Sequence, residues 1–218
     1  MLDSLNQLAF VLRLFFHLLY NPFAWSYDWV AAIVSHGHWV EWTHATLPFL
    51  SGDRILELGH GPGHLQVSLN QRGWEVIGLD RSPAMGRLAQ RRLRKASLPD
   101  RLVKAEAQSL PFATGAFDQI VATFPTEYLF QSQTLAEIRR VLRPAGLLVV
   151  LPVAWIGKRS RLDRGLEKVY RITHQAPDKT DARWSDSMVE IFQRAGFSTR
   201  SEKITLGSSE IYLLLASV

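Results

Sequence analysis

The stretch Arg54 to Leu65, RILELGHGPGHL, constrains the fold more than any other: a short apolar run closes on an acid, and three glycines follow at alternate positions. Ile55 and Leu56 read as a buried parallel strand bounded by turn residues. Gly59, Gly61 and Gly63 let the backbone turn tightly and approach a ligand with no Cβ in the way. The acid, Glu57, then sits at the strand's carboxyl end, where open α/β sheets bind ligands at the point at which strand order reverses. A dinucleotide fingerprint begun at Gly59 needs its third glycine at position 64, which is His64. A bulky residue there argues against pyrophosphate. Glu57 argues the same way, because a carboxylate beside the loop repels a diphosphate but suits a ligand with an ammonium group and a ribose.

A chain of 218 residues is one domain's worth and can bury most of its unfolded surface in one core. A hydrophobic fraction of 47% with a mean hydropathy of −0.02 belongs to a soluble globular protein on the apolar side. The absence of cysteine excludes a disulfide framework and thiolate metal ligands, and predicts a reducing cytoplasm. A net charge of +5 implies only a weak attraction to anionic surfaces.

The first segment, Met1 to Tyr20, carries Leu5, Leu8, Leu12, Phe15 and Leu19 on one helical stripe. Asp3, the lack of a positive start and the lack of a cleavage site argue against a signal peptide. Arg13 and the short apolar run argue against a membrane span. A helix buried against the domain is the plainest reading; a helix in a membrane interface or a dimer seam is the alternative. Asn21-Pro22 breaks it, and the aromatic-rich segment that follows partitions into a second helix from about Ser26 to Ser35, a turn at Gly37 and a third helix to about Ala45. This helical part caps one end of a pocket. His36, His38 and His44 cluster there, but no carboxylate or cysteine completes a zinc spacing, so no metal site is expected.

Beyond the glycines, His64 to Arg72 reads as a helix and Trp74 to Leu79 as the second strand, ending on Asp80, about 20 residues past the loop where a ribose-binding acid belongs. Ser82 caps the next helix, with Pro83 at its first position. Its Arg87, Arg91, Arg92, Arg94 and Lys95 read as a solvated face. Leu102 to Ala105 and Phe117 to Ala122 read as the third and fourth strands, Gln133 to Leu142 as a helix and Leu147 to Leu151 as the fifth strand. Ile156 to Asp181 is a basic insertion and candidate lid; Ser185 to Ala195, ended by Gly196, is a last helix. Phe197 to Ile204 and Glu210 to Ser217 then form an antiparallel hairpin.

Glu57-Leu58-Gly59-His60-Gly61-Pro62-Gly63 resembles the first motif of the class I S-adenosylmethionine-dependent methyltransferases, whose glycine loop holds the methionine end of the cofactor. Asp80 matches the family's ribose-binding acid. Glu106-Ala107-Gln108-Ser109-Leu110-Pro111-Phe112 and Phe117-Asp118-Gln119-Ile120-Val121 are similar to its adenine-binding turn and fourth strand. Glu137 to Gly146 is similar to its helix and turn before the fifth strand, with Pro144-Ala145-Gly146 where Pro-Gly-Gly is usual; only the position before Gly146 loses conformational freedom. The pattern is nearest to the small-molecule branch that includes the quinone-biosynthesis methyltransferases. It covers residues 50–151 well, the C-terminus loosely and the first 45 residues hardly at all.

The resemblance implies an α/β fold: a Rossmann-like seven-stranded, mostly parallel sheet with helices on both faces, an antiparallel C-terminal hairpin and an N-terminal helical cap. It implies one methyltransferase domain over 1–218, divided into a cap (1–50), a cofactor-binding core (51–151), the basic insertion (152–184) and a C-terminal helix and hairpin (185–218). The cofactor is S-adenosylmethionine. Glu57, Gly59, His60, Gly61 and Gly63 would hold its methionine end, and Asp80, Arg81 and Met85 its ribose side. Glu106, Ala107 and Gln108 would hold the adenine, with Thr123 and Phe124 alongside. Glu127 and Tyr128, in the loop after the fourth strand, are candidates to contact the acceptor, and Phe124 and Tyr128 could stabilise the sulfonium through cation–π contact. Nucleic-acid amino-methyltransferases usually carry an Asn/Asp-Pro-Pro-aromatic tetrad where this chain has Thr123-Phe124-Pro125-Thr126. The expected function is therefore methyl transfer to a small or lipid-like acceptor at O, N or C, in the cytoplasm, with peripheral membrane contact through the N-terminal helix. RNA methylation and an inactive cofactor-binding partner subunit stand as alternatives.

Overall fold

The structure, a computed structural model, describes residue 32, residues 35–156 and residues 182–218. The expected helices over Met1–Tyr20 and Ser26–Ser35 lie almost wholly outside the described residues, and so does the basic insertion beyond Ile156. The strands are β1 (Arg54–Leu58), β2 (Glu75–Asp80), β3 (Leu102–Lys104), β4 (Phe117–Thr123), β5 (Leu142–Ile156), β6 (Ser198–Leu206) and β7 (Ser209–Ser217). The helices are α1 (Trp39–His44), α2 (His64–Asn70), α3 (Pro83–Lys95), α4 (Ser132–Val141) and α5 (Ala182–Arg194). Short 3-10 turns occupy Leu47–Phe49 and Glu127–Phe130.

All seven strands form one sheet in the order β3-β2-β1-β4-β5-β7-β6. β1 to β5 run parallel, while β7 is antiparallel to both β5 and β6. The order reverses at β1, which has β2 on one side and β4 on the other, so the crevice opens at the carboxyl ends of β1 and β4.

Side chains alternate across the sheet and give each face its own core. Leu56, Leu58, Ile120 and Leu148 point to the face covered by α4 and α5, where Leu135, Ile138 and Phe192 complete a fully buried cluster. Ile55, Val121 and Val149 point the other way and pack under Leu65 and Leu69 of α2. Beside them Trp42 of α1 covers Leu151, Ile211 and Leu213. At the amino edge, Gln119 Oε1 accepts from the amides of Ser51 and Gly52, both at 2.6 Å, and Asp118 Oδ2 accepts from the Arg54 amide at 2.8 Å. These bonds aim the chain into β1.

The fifth strand differs from the expectation at both ends. Leu142 already pairs with Phe117, and pairing resumes at Gln119 with Leu147, so residues 143–146 bulge from the strand; beyond Leu151 the strand continues to Ile156. Within the bulge Ala145 is left-handed, at φ 61°, a conformation costing a non-glycine residue about 1–2 kcal/mol. Gly146 needs its glycine for space, because a Cβ there would stand 2.8 Å from the Arg143 carbonyl oxygen. Ala145→Gly is therefore expected to stabilise the fold by about 1 kcal/mol after the entropy of the unfolded glycine is subtracted. Thermal melts of the two chains measure this, and an unchanged or lower midpoint contradicts the strain.

Candidate active site

The glycine loop leaves β1 through three left-handed glycines, each with a different reason. Gly59 (φ 75°) donates its amide to the Leu79 carbonyl at 2.7 Å, and a Cβ on it would stand 2.6 Å from the Tyr128 hydroxyl. Gly63 (φ 85°) lies against α3, where a Cβ would stand 2.9 Å from the Cα of Ala89. At Gly61 (φ 53°) an added Cβ meets nothing within 4 Å, so the middle of the loop faces open space.

Asp80, at the end of β2, secures this loop. Its Oδ2 accepts from the Gly61 amide at 2.9 Å and its Oδ1 from the Ser82 amide at 2.8 Å, joining the loop to the start of α3. Ser82 caps that helix as expected, its hydroxyl oxygen accepting from the Met85 amide at 3.2 Å. Arg81 is exposed, whereas Met85 is fully buried.

Glu57 lies beneath the loop, 2% exposed, and its Oε2 has no hydrogen-bond partner among the described residues. Burial drives its pKa up to about 8; the Gln66 amide opposes the rise and the Asp80 charge adds to it. His60 is buried as well, its Nδ1 donating to the Gly61 carbonyl at 2.7 Å, and burial lowers its pKa against the pull of Asp80.

Two further segments reach the same edge. Glu106 is exposed, Ala107 buried, and Gln108 half-buried with its amide donating to Gln131 Oε1 at 2.8 Å. After β4, Thr123 is half-buried and Phe124 is left-handed at φ 48°, its amide donating to the Leu151 carbonyl at 2.6 Å. The Phe124 ring stacks on Trp39 at 4.2 Å and lies 6.2 Å from Trp42, so α1 and this loop share one aromatic wall. Glu127 is exposed, and the half-buried Tyr128 sends its hydroxyl to the Leu58 carbonyl at 3.3 Å, toward the glycine loop.

Comparison with known proteins agrees with this geometry. Residues 56–150 match the model of the family described as Methyltransferase domain. Residues 56–150 are a methyltransferase domain of the class I S-adenosylmethionine-dependent kind. Among its relatives, a demethylmenaquinone methyltransferase of Thermus thermophilus is 29% identical over 89% of this chain and 98% of that protein. One of Lactiplantibacillus plantarum is 36% identical over 61% of this chain and 60% of that protein. In fold, the methyltransferase is similar to a possible histamine N-methyltransferase of Thermotoga maritima, with a TM-score of 0.62 at 20% identity over 92% of this chain and 98% of the other. It is likewise similar to geranyl diphosphate C-methyltransferase of Streptomyces coelicolor, with a TM-score of 0.59 at 16% identity over 80% and 77% of the two chains.

Several residues that shape the methyltransferase site carry little local sequence signal. Arg92, on the helix face read as solvated, is half-buried and donates from its guanidinium to the Pro62 carbonyl of the glycine loop. Gln66 packs its amide against Gly78, where a Cβ would stand 2.9 Å away. Glu137 and Arg140 form a double hydrogen bond at 2.7 Å. Arg140 also donates to the carbonyls of Phe112 (2.7 Å) and Leu110 (2.9 Å), while Glu137 accepts from the Leu110 amide at 2.8 Å. This clamp fixes the far end of the segment that begins at Glu106; its i,i+3 spacing on α4 was its only sign in the sequence. The cap histidines go to separate partners: His38 to Glu41 at 2.7 Å and His44 to Ser68 at 2.7 Å. Among the described residues no group of three or more His, Asp and Glu side chains is placed to hold a metal ion.

Two tests follow from the methyltransferase loop. Gly59→Ala should lower the melting temperature through its clash with the Tyr128 hydroxyl. Tyr128→Phe in the same chain should recover part of the loss, since the next ring atom is 3.7 Å away, leaving about 1–2 kcal/mol of left-handed strain. A double variant no more stable than Gly59→Ala would contradict the contact. Glu57 predicts a pH dependence. Because its folded pKa is raised from 4.5 to about 8, the ligand-free protein is favoured below the unfolded value and loses that advantage as pH climbs through about 8. Denaturant midpoints from pH 5 to 9 should fall for the wild type and stay flatter for Glu57→Gln; parallel curves would refute a neutral Glu57.

Proposed function

We propose that the crevice at the carboxyl ends of β1, β2 and β4 holds S-adenosylmethionine and that the chain transfers its methyl group to a small, quinone-like ring acceptor. The observation that carries the cofactor reading is the convergence of the open Gly61 backbone, the unpartnered Oε2 of the buried Glu57 and Asp80 at the switch point of the sheet. In this reading Glu57 faces the ammonium group, with Gly59, His60, Gly61 and Gly63 around the methionine end. Asp80 accepts from the ribose hydroxyls with free lone pairs of the oxygens that hold the loop, and Arg81 and Met85 flank it. Glu106, Ala107 and Gln108 border the adenine, and Thr123 and Phe124 close the side nearest the acceptor.

When bound, the cofactor supplies a methyl group on a sulfonium, already activated for in-line displacement. What the protein adds is alignment and exclusion of water. Trp39, Phe124 and Trp42 form the apolar wall for that task, and the left-handed Phe124 holds its ring against Trp39 at a strained position, as functional loops often do. Glu127, the exposed first residue of the 3-10 turn, is free to reach an acceptor hydroxyl, while Tyr128 acts chiefly on the glycine loop. The acceptor class is supported by the demethylmenaquinone methyltransferases among the relatives. Incubation with labelled S-adenosylmethionine and a panel of quinols, phenols and amines tests it; methyl incorporation into amines alone would overturn the quinone-like acceptor.

The chain then acts as one domain, divided as its sequence suggests, working in the cytoplasm at the membrane surface. No helix among the described residues is long and apolar enough to cross a membrane. The apolar segment 1–20 with Arg13 and His17, Trp25 and Trp29 beyond it, and the basic stretch 156–181 support docking on an anionic bilayer. Co-sedimentation with anionic vesicles at low salt, for the full chain and for one lacking residues 1–20, tests this. Failure of both chains to pellet would return the segment to the core.

A further inference from the structure

The least explained group in the structure is Glu57. It is a carboxyl group in the middle of the sheet, 2% exposed, with one oxygen unpartnered and no arginine or lysine paired with it among the described residues. Every element around it withholds a counter-charge. β2 brings the negative Asp80, α2 brings only the uncharged Gln66 amide, β4 brings Val121 at the matching register, and the loop brings a His60 that burial keeps neutral. The β4 loop adds Tyr128, whose hydroxyl is spent on the Leu58 carbonyl. An ionised carboxylate in such a place lacks the partner that would offset its desolvation, so the group holds a proton instead.

We propose that Glu57 is protonated in the empty site and releases that proton when the cofactor's ammonium group enters, so that cofactor uptake is coupled to proton release. In the step, the carboxyl O–H bond breaks, its electron pair stays on the carboxylate, and the proton passes to solvent. The carboxylate and the ammonium then neutralise each other away from water. This inference rests on the reading that the crevice binds S-adenosylmethionine. Burial of the carboxyl supports it, since loss of solvation pushes its pKa up to about 8 and leaves the group neutral near pH 7. The consequence is an affinity that rises with pH across the acidic range up to about neutrality, where the ligand's own ammonium is already largely charged.

Calorimetric titration of the full chain with S-adenosylhomocysteine, at about pH 6.5 in buffers of different ionisation enthalpy, tests the coupling. About one proton should be released per ligand bound, and affinity should rise about tenfold per pH unit between about pH 5.5 and 7. Glu57→Gln should bind without that proton and without that slope. A second probe removes dependence on the variant's folding: 5′-methylthioadenosine carries the ribose and adenine but no ammonium, and should bind the wild type with no proton released. Binding of S-adenosylhomocysteine with no net proton, or release that persists in Glu57→Gln or with methylthioadenosine, overturns the coupling while leaving the cofactor reading intact. Failure of both ligands to bind overturns the cofactor reading itself.

Discussion

Asp80→Ala is expected to lower affinity for S-adenosylhomocysteine by about 100-fold or more. In the proposed site the carboxylate accepts from two ribose hydroxyls, and hydrogen bonds to a charged group contribute about 1.5–3 kcal/mol each. The structure adds a second consequence. The same oxygens accept from the Gly61 and Ser82 amides at 2.9 and 2.8 Å, so the alanine variant also frees the glycine loop from α3 and loses stability. Asp80→Asn separates the two effects, because its carbonyl still serves one amide. It should recover much of the melting temperature while binding remains weak. Wild-type affinity in either variant would remove Asp80 from the ribose site.

Gly63→Ala is expected to cost about 3 kcal/mol, a drop in melting temperature of roughly 10 °C for a chain of this size. Left-handed strain at φ 85° accounts for part of this, and overlap with the Cα and Cβ of Ala89, at 2.9 and 2.7 Å, accounts for the rest. Because one of the clashing atoms is backbone, α2 and α3 must separate to admit the methyl group. Ala89→Gly in the same chain removes only the Cβ clash, so partial rescue is expected. A single variant melting within a degree or two of the wild type would show that the helices do not approach as closely as described.

What the sequence made legible was whatever a short stretch of chain decides by itself. Ile55 and Leu56, bounded by turn residues, marked β1, and the glycines after Glu57 marked the loop. Apolar runs ending at Asp80 and Ala122 marked β2 and β4 to within a residue or two of their ends. Family resemblance then supplied the seven-stranded, mostly parallel sheet that periodicity cannot, and the strand order came from the structure. What stayed hidden was decided by packing between distant segments. Arg92 has the same sequence surroundings as its solvated neighbours, and only the fold brings Pro62 to it. Trp39 meets Phe124 across 85 positions of chain because α1 lies against the end of β4. The bulge at 143–146 was invisible because its cause is the register with Phe117 and Gln119, and Ala145 takes a conformation its side chain disfavours. Tyr128 was expected to contact the acceptor, whereas its hydroxyl turns to the Leu58 carbonyl, a target that sequence spacing cannot reveal.

The most direct test of the account is calorimetric titration of the full chain with S-adenosylhomocysteine, run beside Glu57→Gln and Asp80→Ala. Saturable one-to-one binding by the wild type, weakened in both variants, is the predicted result. The absence of binding, or binding that neither substitution disturbs, would contradict the placement of the cofactor at the carboxyl ends of β1 and β2.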